Sequence, residues 1–236
     1  MYDPEINIRQ GSYLPHWRKD GAIYALRFRL ADSLPQEKLS AILEERKEIL
    51  EGARRAGRPL TPSEKERMEF LSSEEIERFL DAGYGECWLK RDAVATIVSD
   101  ALTHFQGTRY RLFAWCIMPN HVHIVVQPLA GYELSSIVLS WKTFTARKSN
   151  IVIGRTGEFW QSEYFDHLIR NDESLSYWVE YTWANPDQAG LKNWRWRWRE
   201  DILTEHGPEG HATSHATKHS SLKETHVTRH SSVKEV

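Results

Sequence analysis

Cysteine is nearly absent from this chain: Cys87 and Cys116 are the only two among 236 residues. So few thiols exclude a disulfide framework and a thiolate metal cluster, and they fit a reducing compartment. No apolar run approaches the roughly 18 residues of a membrane-spanning helix. The start, Met1-Tyr2-Asp3-Pro4-Glu5, lacks a basic segment followed by an apolar one. Neither secretion nor a membrane partner is expected, and the expected location is cytoplasmic. A strong overall charge is also missing. At a formal net charge of −2 the chain as a whole has no attraction for nucleic acid.

What is present argues for a folded body. Hydrophobic residues make up 40% of the chain and 10 are tryptophan, enough for one domain with a real core or two small ones. The charge is unevenly spread. Residues 31–92 hold 11 Lys/Arg against 15 Asp/Glu, whereas residues 106–155 hold six Lys/Arg against one acid, Glu133. Only the surface that meets phosphate has to be positive. The basic stretch also contains the most informative motif.

That motif is His121-Val122-His123, inside Cys116-Ile117-Met118-Pro119-Asn120-His121-Val122-His123-Ile124-Val125-Val126. In a strand, two residues separated by one point to the same face. Two imidazoles so placed offer two nitrogen ligands to one ion from a rigid surface. Neither a cysteine pair nor a His-Glu-x-x-His helix accompanies them, so this is not a zinc-finger or zincin pattern. The alternative is a pair of strand histidines whose polar edges are satisfied by neighbours or water. The spacing leaves both open.

Periodicity orders the rest. Ala22–Leu30 reads as a strand with Tyr24, Leu26, Phe28 and Leu30 on one side and Arg27 and Arg29 on the other. Pro35 opens a helix expected to reach about Glu51, residues 52–62 read as a connection, and Ser72–Ile76 reads as a capped helix start. Residues 91–105 predict a helix, and Tyr110–Ile117 and His121–Gln127 predict an antiparallel pair around Met118-Pro119-Asn120. Residues 133–149 predict a helix, and Phe159–Phe165 a strand. A last helix capped by Asn171 or Asp172 should stop at Asn185-Pro186. In Trp194–Arg199, strand geometry would turn the tryptophans inward and the arginines outward. The order implies one α+β domain with an antiparallel sheet over residues 1–203, including an accessory helical region at 52–92. Residues 204–236, rich in Ser, Thr and His, are expected to be a disordered tail.

Four ordered blocks go further than any single motif. They are Trp115–His123, Ser140-Trp141-Lys142-Thr143-Phe144-Thr145-Ala146, Gly157–Asp166, and Ile169-Arg170 followed by Tyr181–Leu191. Together they resemble the IS200-like transposase family, in its REP-associated tyrosine transposase branch. The resemblance implies a ferredoxin-like antiparallel sheet with flanking helices, of the HUH endonuclease type. It also implies a nuclease and strand transferase that acts on single-stranded DNA, with REP-like hairpins as partner. By the same resemblance His121, His123 and Asn185 are metal ligands, and Tyr181 is the nucleophile that forms a 5′-phosphotyrosine. Tyr181 and Asn185 are four apart, so one helix face presents both. Imidazole alone favours Zn²⁺, phosphate and amide oxygens favour Mg²⁺ or Mn²⁺, and the resemblance tips the expectation to Mg²⁺ or Mn²⁺. No nucleotide or organic cofactor is expected.

Trp141, Lys142, Thr143, Arg147 and Lys148 are expected to form a DNA-facing helix, with Arg170 as a further phosphate contact. A nucleoid-associated monomer or homodimer follows from the same resemblance. The competing class is a sequence-specific DNA-binding protein without cleavage, serving repeat maintenance or regulation.

Overall fold

The computed structural model describes residues 7–10, 15–18, 21–72 and 74–201. The expected tail at 204–236 lies outside the described residues, as does Ser73 of the expected helix start. In chain order the elements are β1 (Asn7–Gln10), β2 (Pro15–Arg18), β3 (Ile23–Arg29), α1 (Gln36–Arg55), α2 (Pro62–Ser72) and α3 (Glu74–Asp81). After a 3₁₀ turn at Trp88–Lys90 follow α4 (Asp92–Thr103), β4 (Tyr110–Ile117), β5 (His121–Pro128) and α5 (Leu134–Ile153). The chain continues through β6 (Phe165–Ile169), α6 (Asp172–Gln188) and β7 (Arg197–Arg199). No helix among the described residues is long and apolar enough to cross a membrane.

Five strands form an antiparallel sheet in the order β6-β3-β5-β4-β7, and β1 and β2 pair separately. The path β3-α4-β4-β5-α5-β6 is a β-α-β-β-α-β unit whose strands lie fourth, first, third, second. This is the ferredoxin-like arrangement, and the class is α+β as expected. Helices α1 to α3 are inserted between β3 and α4.

The two faces of the sheet differ. On one, Tyr24, Leu26 and Phe28 of β3, with Leu30 just beyond it, join Val122, Ile124 and Val126 of β5 beneath Val94 and Val98 of α4 and Ile137, Val138 and Trp141 of α5. The opposite parity carries Ala25 and Val125, covered by Val179 of α6. His121 and His123 share that second parity, and cross-strand pairing sets Arg27 beside His123 and Arg29 beside His121. The strand period therefore sorts hydrocarbon to one side and the functional groups to the side covered by α6.

Several sequence expectations need correction. Helix α1 runs past Glu51 to Arg55. Helix α2 then begins with a capping box inside the supposed connection: Thr61 Oγ1 accepts from Glu64 N and Glu64 Oε2 accepts from Thr61 N. The stretch before Phe165 is not a strand but a plug. Trp160 is buried edge-on against Phe28 at 4.8 Å, with a single bridge to Leu30. Helix α6 continues through Pro186 to Gln188. So near the helix end a proline removes only one backbone donor, and Ala189 N and Leu191 N still bond to Asn185 O and Pro186 O. In the last strand Trp198 is exposed, while Arg197 and Arg199 pair with Asp187 and Glu180 of α6. Both guanidiniums also lie over the Trp183 ring, so this strand anchors the helix that covers the functional face.

Candidate active site

His121 and His123 sit on central strand β5, both buried, with their Nε2 atoms 2.9 Å apart. Two nitrogens bound to one ion at roughly 2.1 Å would be separated by about 3 Å. Their tautomers can be assigned from the surrounding hydrogen bonds. Asn120 Nδ2 donates to Leu80 O at 3.1 Å and Tyr84 O at 3.0 Å, which orients the amide. Its Oδ1 then accepts from His121 Nδ1 at 2.8 Å. His121 accordingly carries its proton on Nδ1 and keeps the Nε2 lone pair, which accepts from His123 Nε2.

Both imidazoles are held neutral, the form that binds metal. Burial lowers the His123 pKa to about 3, helped by the Arg27 charge and opposed by Asp81. Burial, His123 and Arg27 push His121 well below its ordinary value. Among the described residues no group of three or more His, Cys, Asp or Glu side chains comes together for a metal. The third donor on hand is an amide. Asn185 is buried, and its Oδ1 has no hydrogen-bond partner. An orphaned buried acceptor costs on the order of 1–3 kcal/mol, which an ion in contact with it would offset. Two neutral imidazoles and an amide oxygen fit a divalent ion.

Tyr181 lies one turn before Asn185 on α6. Its ring meets the His123 ring edge-on, centroids 5.7 Å apart, and stacks with Tyr177 at 6.2 Å. Asn171 caps this helix by accepting from Ser174 N at 2.8 Å. Burial raises the Tyr181 pKa, whereas the Arg27 charge and a hydrogen bond from Asn185 lower it. Sequence reasoning missed three neighbours. Arg27 is buried beside His123, and desolvation lowers its pKa to about 10. Asn120 read only as a turn residue. Asp81, at the end of α3, interacts electrostatically with His123 and Arg27, and partial burial raises its carboxyl pKa. One signal was available for Arg27: a charge in a strand that pairs on both edges has no open solvent beside it.

Residues 89–184 match the family model described as transposase IS200 like. A Haemophilus influenzae protein described as a REP-associated tyrosine transposase is 27% identical over 115 residues. That alignment covers 42% of this chain and 65% of the relative, so the chain spans under two thirds of that protein. Of the solved structures, a REP-associated tyrosine transposase bound to a REP hairpin aligns at 14% identity and a TM-score of 0.40. It covers 78% of this chain and 74% of that one. A transposase from Deinococcus radiodurans aligns at 14% identity and a TM-score of 0.29, covering 67% and 86%.

The structure does not bring all the expected residues to one surface. Trp141 is buried and its indole donates to Tyr110 Oη at 3.0 Å, so it is a core residue and not a DNA-facing one. Lys142 is likewise turned to the protein: Nζ donates to Gln161 O and Ser162 O, both at 2.6 Å, and burial lowers its pKa to about 8. Residues three or four apart on a helix share a face, and Trp141, Thr145 and Ser149 take the buried one. Thr143, Arg147 and Lys148 are exposed, as is Arg170 at the end of β6.

Proposed function

We propose that this chain is a metal-dependent endonuclease and strand transferase for single-stranded DNA, that is, a transposase working in the cytoplasm at the nucleoid. The observation that carries the reading is Tyr181, packed edge-on against His123 with Asn185 one helical turn away. In support of the reading, Asn185 hydrogen-bonds to Tyr181, whose ring packs on His123, the partner of His121. A divalent ion held by His121, His123 and Asn185, Mg²⁺ or Mn²⁺, would act as a Lewis acid on a non-bridging oxygen of the scissile phosphate.

The protein groups do the rest. The Tyr181 oxygen bonds to phosphorus and the bond from phosphorus to the 3′ oxygen breaks. The phenolic proton leaves to solvent, and the departing 3′ oxygen takes one up. The 5′ end stays on Tyr181 as a phosphodiester, whose energy a later 3′-hydroxyl attack recovers in strand transfer, with no nucleotide cofactor needed. Arg27 and the Asn185 hydrogen bond both favour the developing phenolate. The substrate is a REP-like hairpin with single-stranded flanks, in keeping with the sequence resemblance and the description of the Haemophilus influenzae relative.

The test is incubation of labelled hairpins, taken from repeats beside the gene, with Mn²⁺, Mg²⁺ or chelator, followed by denaturing electrophoresis. A metal-dependent covalent adduct that disappears in Tyr181→Phe is expected. Tight binding with no adduct on any such repeat would instead support the non-catalytic DNA-binding reading.

A further inference from the structure

The donors gathered at the histidine pair carry no negative charge. Two neutral imidazoles and an amide would hold a divalent ion beside Arg27, which is buried and directly across the strand pair from His123. Mg²⁺ and Mn²⁺ are hard ions that usually have a carboxylate oxygen among their partners. Charge in a buried place is also poorly screened by salt. A nearby anion would therefore decide whether the ion settles before any DNA phosphate arrives.

Acids of the neighbouring elements are committed elsewhere. Asp166 pairs with Leu26 in the register of β3 and β6, so it lies on the face opposite Arg27. Glu180 and Asp187, close in sequence to Tyr181 and Asn185, form ion pairs with Arg199 and Arg197 of β7. Asp81 is placed differently, on the inserted arm and outside the β-α-β-β-α-β unit. It is the last residue of α3, and Asn120 fixes the chain on both sides of it by donating to Leu80 O and Tyr84 O. The oxygen of the same amide orients His121. The Asp81 carboxylate acts electrostatically on Arg27, His123 and Tyr181 alike. Resting on the metal-dependent reading above, we propose that Asp81 is a positioning residue for the divalent ion, its negative charge offsetting that of the ion held by His121, His123 and Asn185. The inserted helices thereby belong to the catalytic centre, to which they bring a charge that the sheet and α6 direct elsewhere.

The experiment titrates Mn²⁺ calorimetrically into the full chain at low ionic strength and without DNA. Binding that vanishes in His121→Ala is assigned to this site. Asp81→Asn keeps the shape and removes the charge, and should weaken that Kd about tenfold, as loss of a group supporting a metal ligand does. Asp81→Glu should recover most of the affinity. Glu86→Gln removes the same charge a little further along the same connection and should leave the Kd unchanged. Asp81 is exposed, so the metal-free Tm should be the same in these variants as in the unmodified protein, which separates a lost charge from a loosened arm.

An unchanged Kd in Asp81→Asn would overturn the proposal. So would an equal loss in Glu86→Gln, or a loss in Asp81→Asn that comes with a lower metal-free Tm and is not recovered by Asp81→Glu. Adduct formation by the unmodified protein is scored separately. An adduct together with an unchanged Kd in Asp81→Asn removes the role of Asp81 and leaves the nuclease reading intact. Loss of Mn²⁺ affinity in Asp81→Asn, with no adduct from the unmodified protein on any repeat, does the reverse.

Discussion

Asn120 donates both amide hydrogens to the carbonyls of Leu80 and Tyr84, so its oxygen accepts from His121 Nδ1 and the Nε2 lone pair is left toward His123. An apolar residue at 120 would free the imidazole to take either tautomer. For Asn120→Ala we expect a tenfold to hundredfold loss in Mn²⁺ affinity, the usual consequence of removing a partner behind a metal-binding histidine. Nitrogen-15 NMR of the metal-free protein should show His121 as a single Nδ1-protonated tautomer, and a mixture in the variant. A single unchanged tautomer in Asn120→Ala would defeat the argument. The same residues set a pH dependence. The folded His123 pKa is near 3, below the value of about 6.5 expected for an unfolded histidine. Between these limits the unfolded chain binds more protons, so stability is present above about pH 6.5 and is lost as pH falls toward 3. Thermal denaturation of the metal-free protein should therefore show a lower Tm at pH 5 than at pH 7.5. An equal Tm at both values would mean that the pair is not buried as neutral imidazole.

Helix α5 divides into two roles along its length. Its inner stripe includes Trp141, and its outer face carries Arg147 and Lys148. Trp141→Ala should cost about 3–5 kcal/mol in denaturant unfolding, through the lost ring volume and its bond to Tyr110. Arg147→Ala and Lys148→Ala should leave the midpoint unchanged and each lower the salt slope of DNA binding by about 1. Equal destabilisation by all three would refute the division. The example also shows what a sequence reveals about an element. The apolar period revealed most of α5, expected at 133–149 against the observed Leu134–Ile153, yet which of its residues turn to the protein was not legible, because Trp141 and Lys142 look as suited to nucleic acid as to a core. Strand parity was more dependable: it sorted Tyr24, Leu26 and Phe28 from Arg27 and set both histidines on one face. Helix ends were less so. Pro186 is an obstacle only to the bond it cannot donate, and the packing of α6 on the sheet outweighs that single loss.

At the scale of the whole molecule, the inserted helices α1 to α3 are the part the sequence left without a role. Their exit reaches the site by two routes: backbone carbonyls at Leu80 and Tyr84 that orient Asn120, and the carboxylate of Asp81 facing His123 and Arg27. These contacts span about 40 residues of chain, and neither has a local sequence pattern. Gly85 is required here. At φ +85° it packs so closely on Asp32 that a Cβ would lie 2.6 Å from the Asp32 carbonyl oxygen. The inserted helices and the histidine pair are therefore coupled, and if the pair holds the proposed ion, Mn²⁺ should reveal it. At 100 times its Kd the ion stabilises a folded state by about 2.7 kcal/mol, a rise of roughly 5–10 °C in Tm for a chain of this size. Chelator should reverse the rise, and His121→Ala or His123→Ala should abolish it, which separates the pair from the six histidines of residues 204–236. The pH dependence of this increment is the sharper test. An exposed pair would lose its ion to protons below about pH 6.5. Here burial keeps both imidazoles neutral, His123 until near pH 3 and His121 well below its ordinary range, so no proton has to leave, and the increment should be the same at pH 8 and pH 5.5 even as the baseline Tm falls. An increment that fades with a midpoint near 6.5 would instead mean that the histidines bind metal from an open, solvated arrangement and not from the closed one beneath α6.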